Sequence, residues 1–198
     1  SKKSKIKAFD IASEILEAEA KRSLEESSEI SFDQDEYKKF CDGFNFSETP
    51  DQERAIKEVI SDLISKKPQD RLICGEVGFG KTEVALRASF IVAQSNYQVC
   101  ILAPTTVLAK QHFEVFKDRF ADFPHNVCLL TREQTNTEKE EIYNRINDNS
   151  YSIIIGTHAL FNKKISFKNL NLLIIDEEHK FGVRQKEIIR SLKNGINV

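Results

Sequence analysis

Two short segments carry residues whose types and spacing suit chemistry on the phosphates of a nucleotide. The first, Gly75-Glu76-Val77-Gly78-Phe79-Gly80-Lys81-Thr82, has the spacing of a P-loop. Its glycines let backbone N–H groups curl around phosphates at the start of a helix. Lys81 would then reach the β and γ phosphates of ATP, and Thr82 would place its hydroxyl on Mg²⁺. The alternative is a glycine-rich turn with a chance Lys-Thr pair.

The second segment, Asp176-Glu177-Glu178-His179, follows an apolar run of strand length. ATP hydrolysis needs one acid to hold Mg²⁺ and a second to orient and deprotonate the attacking water. We therefore assign Asp176 to Mg²⁺ and Glu177 to water, and expect the last two residues to contact neighbouring motifs. An acid-rich first turn of an ordinary helix would look similar.

Elements that could position both segments alternate along the chain from Thr49 onward. Thr49-Pro50-Asp51-Gln52 combines an N-cap, a first-turn proline and a capping-box glutamine, which predicts a helix to about Ser65. Further helices are predicted near residues 81–95, 106–120 and 137–147. Strands are predicted at residues 71–74, 98–103, 127–131, 152–155 and 170–175. This alternation is typical of an α/β domain with a mostly parallel sheet flanked by helices.

Residues 1–45 differ from the rest because they are charged and carry no strand-like run. Apolar residues recur at helical spacing, which predicts an N-terminal helical arm, and a second short helix is predicted to start at Asp33 and run through Phe40. We expect two units, a helical arm at 1–45 and a nucleotide-binding lobe at 46–198. The arm either packs on its own domain or links it to a neighbouring module. The apolar positions of the arm are Ile6, Phe9, Ile15, Leu16 and Ala20.

Composition excludes several classes of protein. No apolar run approaches the roughly 18 residues that span a bilayer, and no signal-peptide pattern follows the N-terminus, so we expect a cytoplasmic protein without membrane contact. A net charge of −2 excludes a strongly basic nucleic-acid-binding domain, so any DNA contact must come from motifs. The chain has no methionine and ends on a strand-like Ile196-Asn197-Val198, so we expect a piece of a larger protein.

The cysteines offer no metal site, because none lies close enough to another to form a paired ligand motif. The three that lie in apolar runs, Cys74, Cys100 and Cys128, are predicted to be small hydrophobic residues, buried in a protein of a reducing compartment. The four are Cys41, Cys74, Cys100 and Cys128.

The acidic segment resembles the second motif of helicase superfamily 2, and further motifs follow in that family's order. Residues 103–109 resemble motif Ia, and residues 156–160 resemble a later DNA-contacting loop. Hydroxyls and helix N-terminal N–H groups there would bind phosphates without reading sequence, although ordinary threonine N-caps would look the same. The resemblance implies a RecA-like P-loop domain. It also implies that Gln52 reads adenine, that Phe46 or Phe44 stacks on it, and that His179 couples the nucleotide to DNA. The implied DNA contacts are Pro104, Thr105, Thr106, Arg132, Gly156, Thr157 and His158.

A closer resemblance covers nearly the whole chain and is to the bacterial transcription-repair coupling factor family. It rests on residues 46–52, 70–72, 78–85 and 176–184. That family implies a double-stranded DNA translocase that displaces stalled RNA polymerase and recruits excision-repair proteins, with ATP and Mg²⁺ as cofactors. The third helicase motif, the second motor lobe with its arginine finger and the partner-binding modules are absent, so the isolated chain is expected to be nearly inactive.

Three other functions stay open at this stage. A fork-reversing, branch-migration helicase shares much of the pattern but usually carries serine where Phe79 stands. A protein-docking module with a non-hydrolysing nucleotide site is a second alternative, which intact Lys81, Thr82, Asp176 and Glu177 oppose. A P-loop kinase is a third, and no acceptor pocket is evident for it.

Overall fold

The computed structural model describes residues 29–65, 71, 79–192 and 196–198 of the chain. Three predictions therefore lie outside the described residues, wholly or in large part. They are the first 28 residues of the helical arm, the strand predicted at 71–74 beyond its first residue, and the four opening residues of the P-loop, Gly75, Glu76, Val77 and Gly78.

Four parallel strands form the described sheet, in the order β2-β3-β1-β4. Each strand begins and ends within one residue of its predicted bounds. The strands are β1 (Gln98–Leu102), β2 (Val127–Leu130), β3 (Ile153–Gly156) and β4 (Leu170–Ile175).

Both faces of the sheet are covered, because alternate residues of one strand enter different clusters of the core. In β1, Val99 and Ile101 pack in one cluster, whereas Cys100 and Leu102 pack in the other. Side chains of a strand point alternately to the two faces, so a strand covered on both sides must be apolar throughout. This explains the unbroken apolar runs in the sequence and confirms the α/β prediction.

Six helices flank the sheet in the described residues, and the helix predicted to be capped by Thr49 has that cap. Thr49 and Gln52 form a complete capping box with Pro50 in the first turn, and Thr105 and Thr135 cap two later helices. No helix within the described ranges is long and apolar enough to cross a membrane. The helices are α1 (Gln34–Asp42), α2 (Pro50–Ile64), α3 (Phe79–Gln94), α4 (Thr106–Phe120), α5 (Asn136–Asn147) and α6 (Val183–Leu192).

The part of the predicted arm that the structure describes, residues 29–45, packs on the lobe. Asp33 caps α1 as predicted, accepting from the backbone N–H of Glu36. Phe40 is 1% exposed and its ring stacks on that of Phe90 in α3, with centroids 4.4 Å apart. The burial of one aromatic ring stabilises by about 1.5–3 kcal/mol, so α1 contributes to the core of the lobe.

The last described residues run beside the sheet. The backbone N–H of Leu173 in β4 donates to the carbonyl of Asn197 at 2.8 Å, and Asn197 forms a parallel bridge with Leu172. The backbone N–H of Arg71 donates to the carbonyl of Val198 at 3.0 Å. The start of the predicted strand at 71–74 therefore lies next to this segment.

Two of the four cysteines are buried as predicted, at 5% exposed for Cys100 and 4% for Cys128. Burial raises the pKa of the Cys100 thiol to about 12, and it raises the pKa of Cys128 as well. Neither thiol is ionised near neutral pH, so neither is a reactive nucleophile. Cys41 is partly exposed, and Cys74 lies outside the described residues.

Candidate nucleotide site and nucleic-acid interface

The parallel topology brings the predicted motifs to one edge of the sheet. Residues 103–106 follow β1, residues 156–158 follow β3, and residues 176–180 follow β4. These three strands are neighbours and all run in the same direction, so their carboxyl ends meet at that edge. In open α/β sheets the carboxyl edge is where ligands bind.

The described part of the P-loop is the start of α3. Phe79 is the first residue of the helix, Lys81 is exposed and Thr82 is partly buried. A Cβ built on Gly80 would lie 2.7 Å from Nε2 of Gln52, which is closer than a real side chain tolerates. Glycine at position 80 therefore leaves room for the amide end of the Gln52 side chain.

Gln52 is held in place by the capping box of α2. Its Oε1 accepts from the backbone N–H of Thr49 at 2.8 Å, while the Thr49 hydroxyl accepts from the Gln52 N–H at 3.2 Å. The side chain is thereby fixed with its Nε2 against Gly80. The predicted adenine reader lies beside the P-loop, which is where its role requires it to be; the role itself stays a prediction.

Phe46 lies on the surface. It is 63% exposed, and its ring centroid is 5.7 Å from that of Phe44. Phe44 is half-buried, with the guanidinium of Arg87 5.9 Å from its ring centroid. Phe46 is therefore not part of the hydrophobic core, and an exposed ring upstream of Gln52 suits the predicted stacking role.

Asp176 is anchored at the end of β4 by its backbone and its side chain. Its N–H donates to the carbonyl of Leu102 in β1 at 3.1 Å, and its Oδ2 lies 2.8 Å from Nε2 of His112 in α4. The hydrogen bond from His112 lowers the pKa of the Asp176 carboxyl against the opposing effect of burial, and the charge of Lys81 also lowers it. Asp176 is therefore ionised at neutral pH and feels the positive charge of the P-loop lysine.

Glu177 adopts a backbone conformation that is uncommon for a residue with a side chain. Its φ of 50° and ψ of 51° place it in the left-handed region, at a strain of order 1–3 kcal/mol. Its Oε2 lies 2.7 Å from Nζ of Lys180, although that buried oxygen receives no hydrogen bond of good geometry from the described residues. Glu178 and His179 follow in a short 3₁₀ turn, Glu178–Lys180, and both are exposed.

These residues fit a magnesium–ATP ligand. Mg²⁺ prefers hard oxygen ligands and is commonly held by one or two carboxylates together with substrate phosphates. The Asp176 carboxylate and the Thr82 hydroxyl are such oxygens, and Lys81 lies close enough to affect the Asp176 carboxyl. The set therefore includes one carboxylate and one hydroxyl suited to a metal ion and one cation suited to phosphates.

The predicted DNA contacts divide into surface and buried positions. Thr105 is exposed and caps α4 by accepting from the N–H of Leu108 at 3.3 Å, and Arg132 and His158 are exposed as well. Thr157 is only 3% exposed, and a Cβ on Gly156 would lie 2.4 Å from the Leu130 carbonyl oxygen. Gly156 and Thr157 therefore lie inside the loop, and the predicted DNA contacts that reach the surface are the exposed residues. Pro104 and Thr106 are partly exposed.

Two polar residues of the lobe were not singled out from the sequence. His112 contacts Asp176, and Glu83, 2% exposed, pairs with Arg87 and Arg119. A signal for His112 was present, because it lies at helical spacing between the buried residues of α4, Ala109, Phe116 and Phe120. A histidine on such a face needs a partner.

The family is decided by the match of a DEAD/DEAH box helicase model to residues 49–197, which is most of the chain. The chain belongs to the DEAD/DEAH box helicase family. Members of this family are nucleotide-binding ATPases, and the match spans α2, the described part of the P-loop and the acidic segment.

This helicase lobe is similar to much longer proteins. The transcription-repair-coupling factor of Haemophilus influenzae is 47% identical over 97% of this chain and 17% of its own length. The factor of Escherichia coli is 43% identical over 97% of this chain and 17% of its own, and that of Bacillus subtilis 42% over 100% and 17%. The resemblance predicted from the sequence is confirmed, and it concerns a small part of each relative.

A solved structure gives the same fold. The structure of RecG bound to a three-way DNA junction matches this helicase lobe with a TM-score of 0.73 and 34% identity, over 89% of this chain and 24% of that chain. The RecA-like α/β architecture predicted from the motifs is confirmed.

Proposed function

We propose that this lobe binds ATP with Mg²⁺ and hydrolyses it within a double-stranded DNA translocase. The translocase would displace stalled RNA polymerase and couple transcription to excision repair. The assignment as a lobe of a helicase-family ATPase follows from the family. The role in polymerase displacement is supported by similarity to transcription-repair-coupling factors over nearly the whole chain.

One observation carries the proposal of hydrolysis. Asp176 and Glu177 follow strand β4, and the pKa of the Asp176 carboxyl is lowered, first by the hydrogen bond from His112 and also by the charge of the P-loop lysine, Lys81. Adjacent carboxylates next to a P-loop can divide the two tasks of metal binding and water activation.

Each residue would then have one task. Lys81 would bind the phosphates, Thr82 and Asp176 would hold Mg²⁺, and Glu177 would orient the attacking water and accept its proton. Mg²⁺ supplies charge neutralisation at the phosphate oxygens when bound. Gln52 and Phe46 would bind the base, which would select adenine nucleotides.

The proposed role in polymerase displacement can be tested with a stalled transcription complex. RNA polymerase is halted on duplex DNA by nucleotide omission, the intact protein is added with ATP, and release of the transcript is measured. We expect release with ATP and none with a non-hydrolysable analogue. Transcripts that remain bound while ATP is hydrolysed would contradict the polymerase role.

A second function is favoured by the similarity to RecG, whose solved structure carries a three-way DNA junction. A branch-migration helicase would hydrolyse ATP fastest with branched DNA. The same assay, run with a three-way junction in place of linear duplex, separates the two proposals. Stimulation by the junction alone, without polymerase release, would favour the second.

Changing Glu177 to Gln is expected to leave ATP bound but not hydrolysed. The amide keeps the size of the side chain but cannot accept the proton of the attacking water, and losing a general base lowers turnover by roughly 10²–10⁴-fold. Phosphate release and filter binding of ATP by the intact protein measure the two steps separately.

The matched control for Glu177 is its neighbour Glu178, which is exposed. Glu178→Gln removes the same charge one residue further on and should retain more turnover than Glu177→Gln. Unchanged turnover in Glu177→Gln would assign water activation to another residue.

Changing Arg132 to Ala is expected to weaken DNA binding to a similar extent for every sequence. Arg132 is exposed just after β2, at the edge of the sheet that carries the other predicted contacts. A lost phosphate contact should reduce the slope of log affinity against log salt by about 1. Fluorescence anisotropy with two unrelated duplexes, at several salt concentrations, measures both effects.

Lys168 provides a charge-matched control for Arg132. It is exposed just before β4 and therefore lies at the opposite edge of the sheet. Lys168→Ala should leave the salt slope of the intact protein unchanged. If the slope of log affinity against log salt were the same for both variants, Arg132 would not contact DNA phosphates.

A further inference from the structure

The closest partner of the Asp176 side chain comes from another element. Nε2 of His112, in the second turn of α4, lies 2.8 Å from Oδ2 of Asp176. The side chain of His112 is 20% exposed and that of Asp176 is 35% exposed. The contact therefore lies at the rim of the site, partly shielded from water, and joins α4 to the end of β4.

This contact restricts the orientation of the Asp176 carboxylate. The backbone of Asp176 is fixed by its hydrogen bond to Leu102, but the side chain of an aspartate can still occupy several rotamers. A donor on a neighbouring helix selects the rotamer in which one oxygen faces that helix. Because His112 is itself on a regular helix packed against the sheet, its position is determined by the fold.

We propose that His112 is a positioning residue that holds the Asp176 carboxylate in the orientation needed to bind Mg²⁺. The inference rests on the proposed function, since it assumes that Asp176 is the magnesium-binding acid. Ligating carboxylates are commonly oriented by a hydrogen bond from a second residue, and loss of such a partner lowers metal affinity about 10–100-fold.

The contact also has a purely structural interpretation, in which His112 only ties α4 to β4. In that case its loss would lower the stability of the lobe and weaken nucleotide binding equally with and without magnesium. A positioning role affects only the part of nucleotide binding that depends on the metal. The dependence of binding on Mg²⁺ therefore distinguishes the two roles.

The experiment measures binding of a non-hydrolysable, fluorescent methylanthraniloyl ATP analogue to the intact protein, first in EDTA and then during a Mg²⁺ titration. Three substitutions are compared with the wild type. His112→Gln keeps an amide N–H at about the reach of Nε2, His112→Asn has a shorter amide, and His112→Leu has no donor. Gln111→Leu, at the exposed adjacent position of α4, is the control for the helix.

We expect similar affinities in EDTA for all five proteins. The Asn and Leu variants should need about tenfold more Mg²⁺ for half of the fluorescence increase, whereas the Gln variant should stay within about threefold of the wild type. Gln111→Leu should match the wild type. If His112→Leu does not fold, the comparison of Gln with Asn decides the question, because both are polar and only one reaches Asp176.

Two results would overturn the inference, and they differ from failure of the proposed function. Equal Mg²⁺ requirements for the wild type and the Asn and Leu variants would show that Asp176 needs no orienting partner. Equal weakening in EDTA and in Mg²⁺ would assign His112 a structural role. A wild-type protein whose analogue binding does not respond to Mg²⁺ would instead contradict the magnesium–ATP site itself.

Discussion

Replacing Lys81 with alanine is expected to abolish ATP binding by the lobe at ordinary nucleotide concentrations. Lys81 lies in the first turn of α3, where helix N–H groups and its ammonium group would act together on the phosphates. Removing one partner of a close charge pair costs about 2–5 kcal/mol of binding free energy, which is roughly 30-fold or more in affinity. Equilibrium binding of radiolabelled ATP to the 198-residue chain and to the intact protein measures the loss.

Lys57 supplies the control for the loss of one positive charge. It is exposed on α2, and its ammonium group lies 3.0 Å from the carboxylate of Glu53. Lys57→Ala should bind ATP as the wild type does. Retained ATP affinity in Lys81→Ala would mean that the phosphates do not bind at the P-loop.

Replacing Glu83 with alanine is expected to destabilise the lobe by about 3–5 kcal/mol, because it removes the carboxylate that pairs with Arg119 and leaves Arg87 with only Glu48. Glu83 is 2% exposed, accepts from Nε of Arg87 at 2.8 Å and also pairs with Arg119. Arg119 in turn donates to the carbonyl of Phe40 at 2.8 Å. One carboxylate therefore helps to hold α1, α3 and α4 together.

Thermal unfolding followed by circular dichroism measures this effect. For a domain of this size each kcal/mol lowers Tm by roughly 2–4 °C, so a decrease of about 6–20 °C is expected. Glu53→Ala, which removes an exposed carboxylate on α2, should change Tm little. Similar values of Tm for the two variants would show that the buried network contributes no more than a surface pair.

Local signals were sufficient to predict most of the described fold. The strands were recognisable because residues such as those of β1 are buried on both faces and hence apolar without interruption. The helix starts at Asp33 and Thr49 were recognisable because an N-cap side chain accepts from a backbone N–H only three residues away. Neither signal depends on distant parts of the chain.

The site was predicted less completely, because part of it depends on contacts between distant residues. His112 and Asp176 are 64 positions apart, and Glu83 and Arg119 are 36 positions apart. No local pattern specifies such pairs; they form only once α4 has packed against the sheet and next to α3. The burial of Thr157 was also missed, because an N-cap threonine looks the same in sequence whether it faces water or the core.

Helix α4 connects two of the predicted motifs. The helix starts with Thr105 and Thr106, which are predicted DNA contacts, and His112 on the same helix reaches the predicted magnesium acid. A six-residue separation on a helix is about 9 Å, so the two predicted functions would lie within one rigid segment.

The measurement that tests the central claim most directly is phosphate release by the intact protein, with and without linear duplex DNA, beside the Glu177→Gln variant. The proposed function predicts ATP turnover that duplex DNA stimulates and that the variant loses while still binding ATP. Turnover that is absent in the wild type, or equal in the variant, would contradict ATP hydrolysis at the Asp176–Glu177 edge of the sheet.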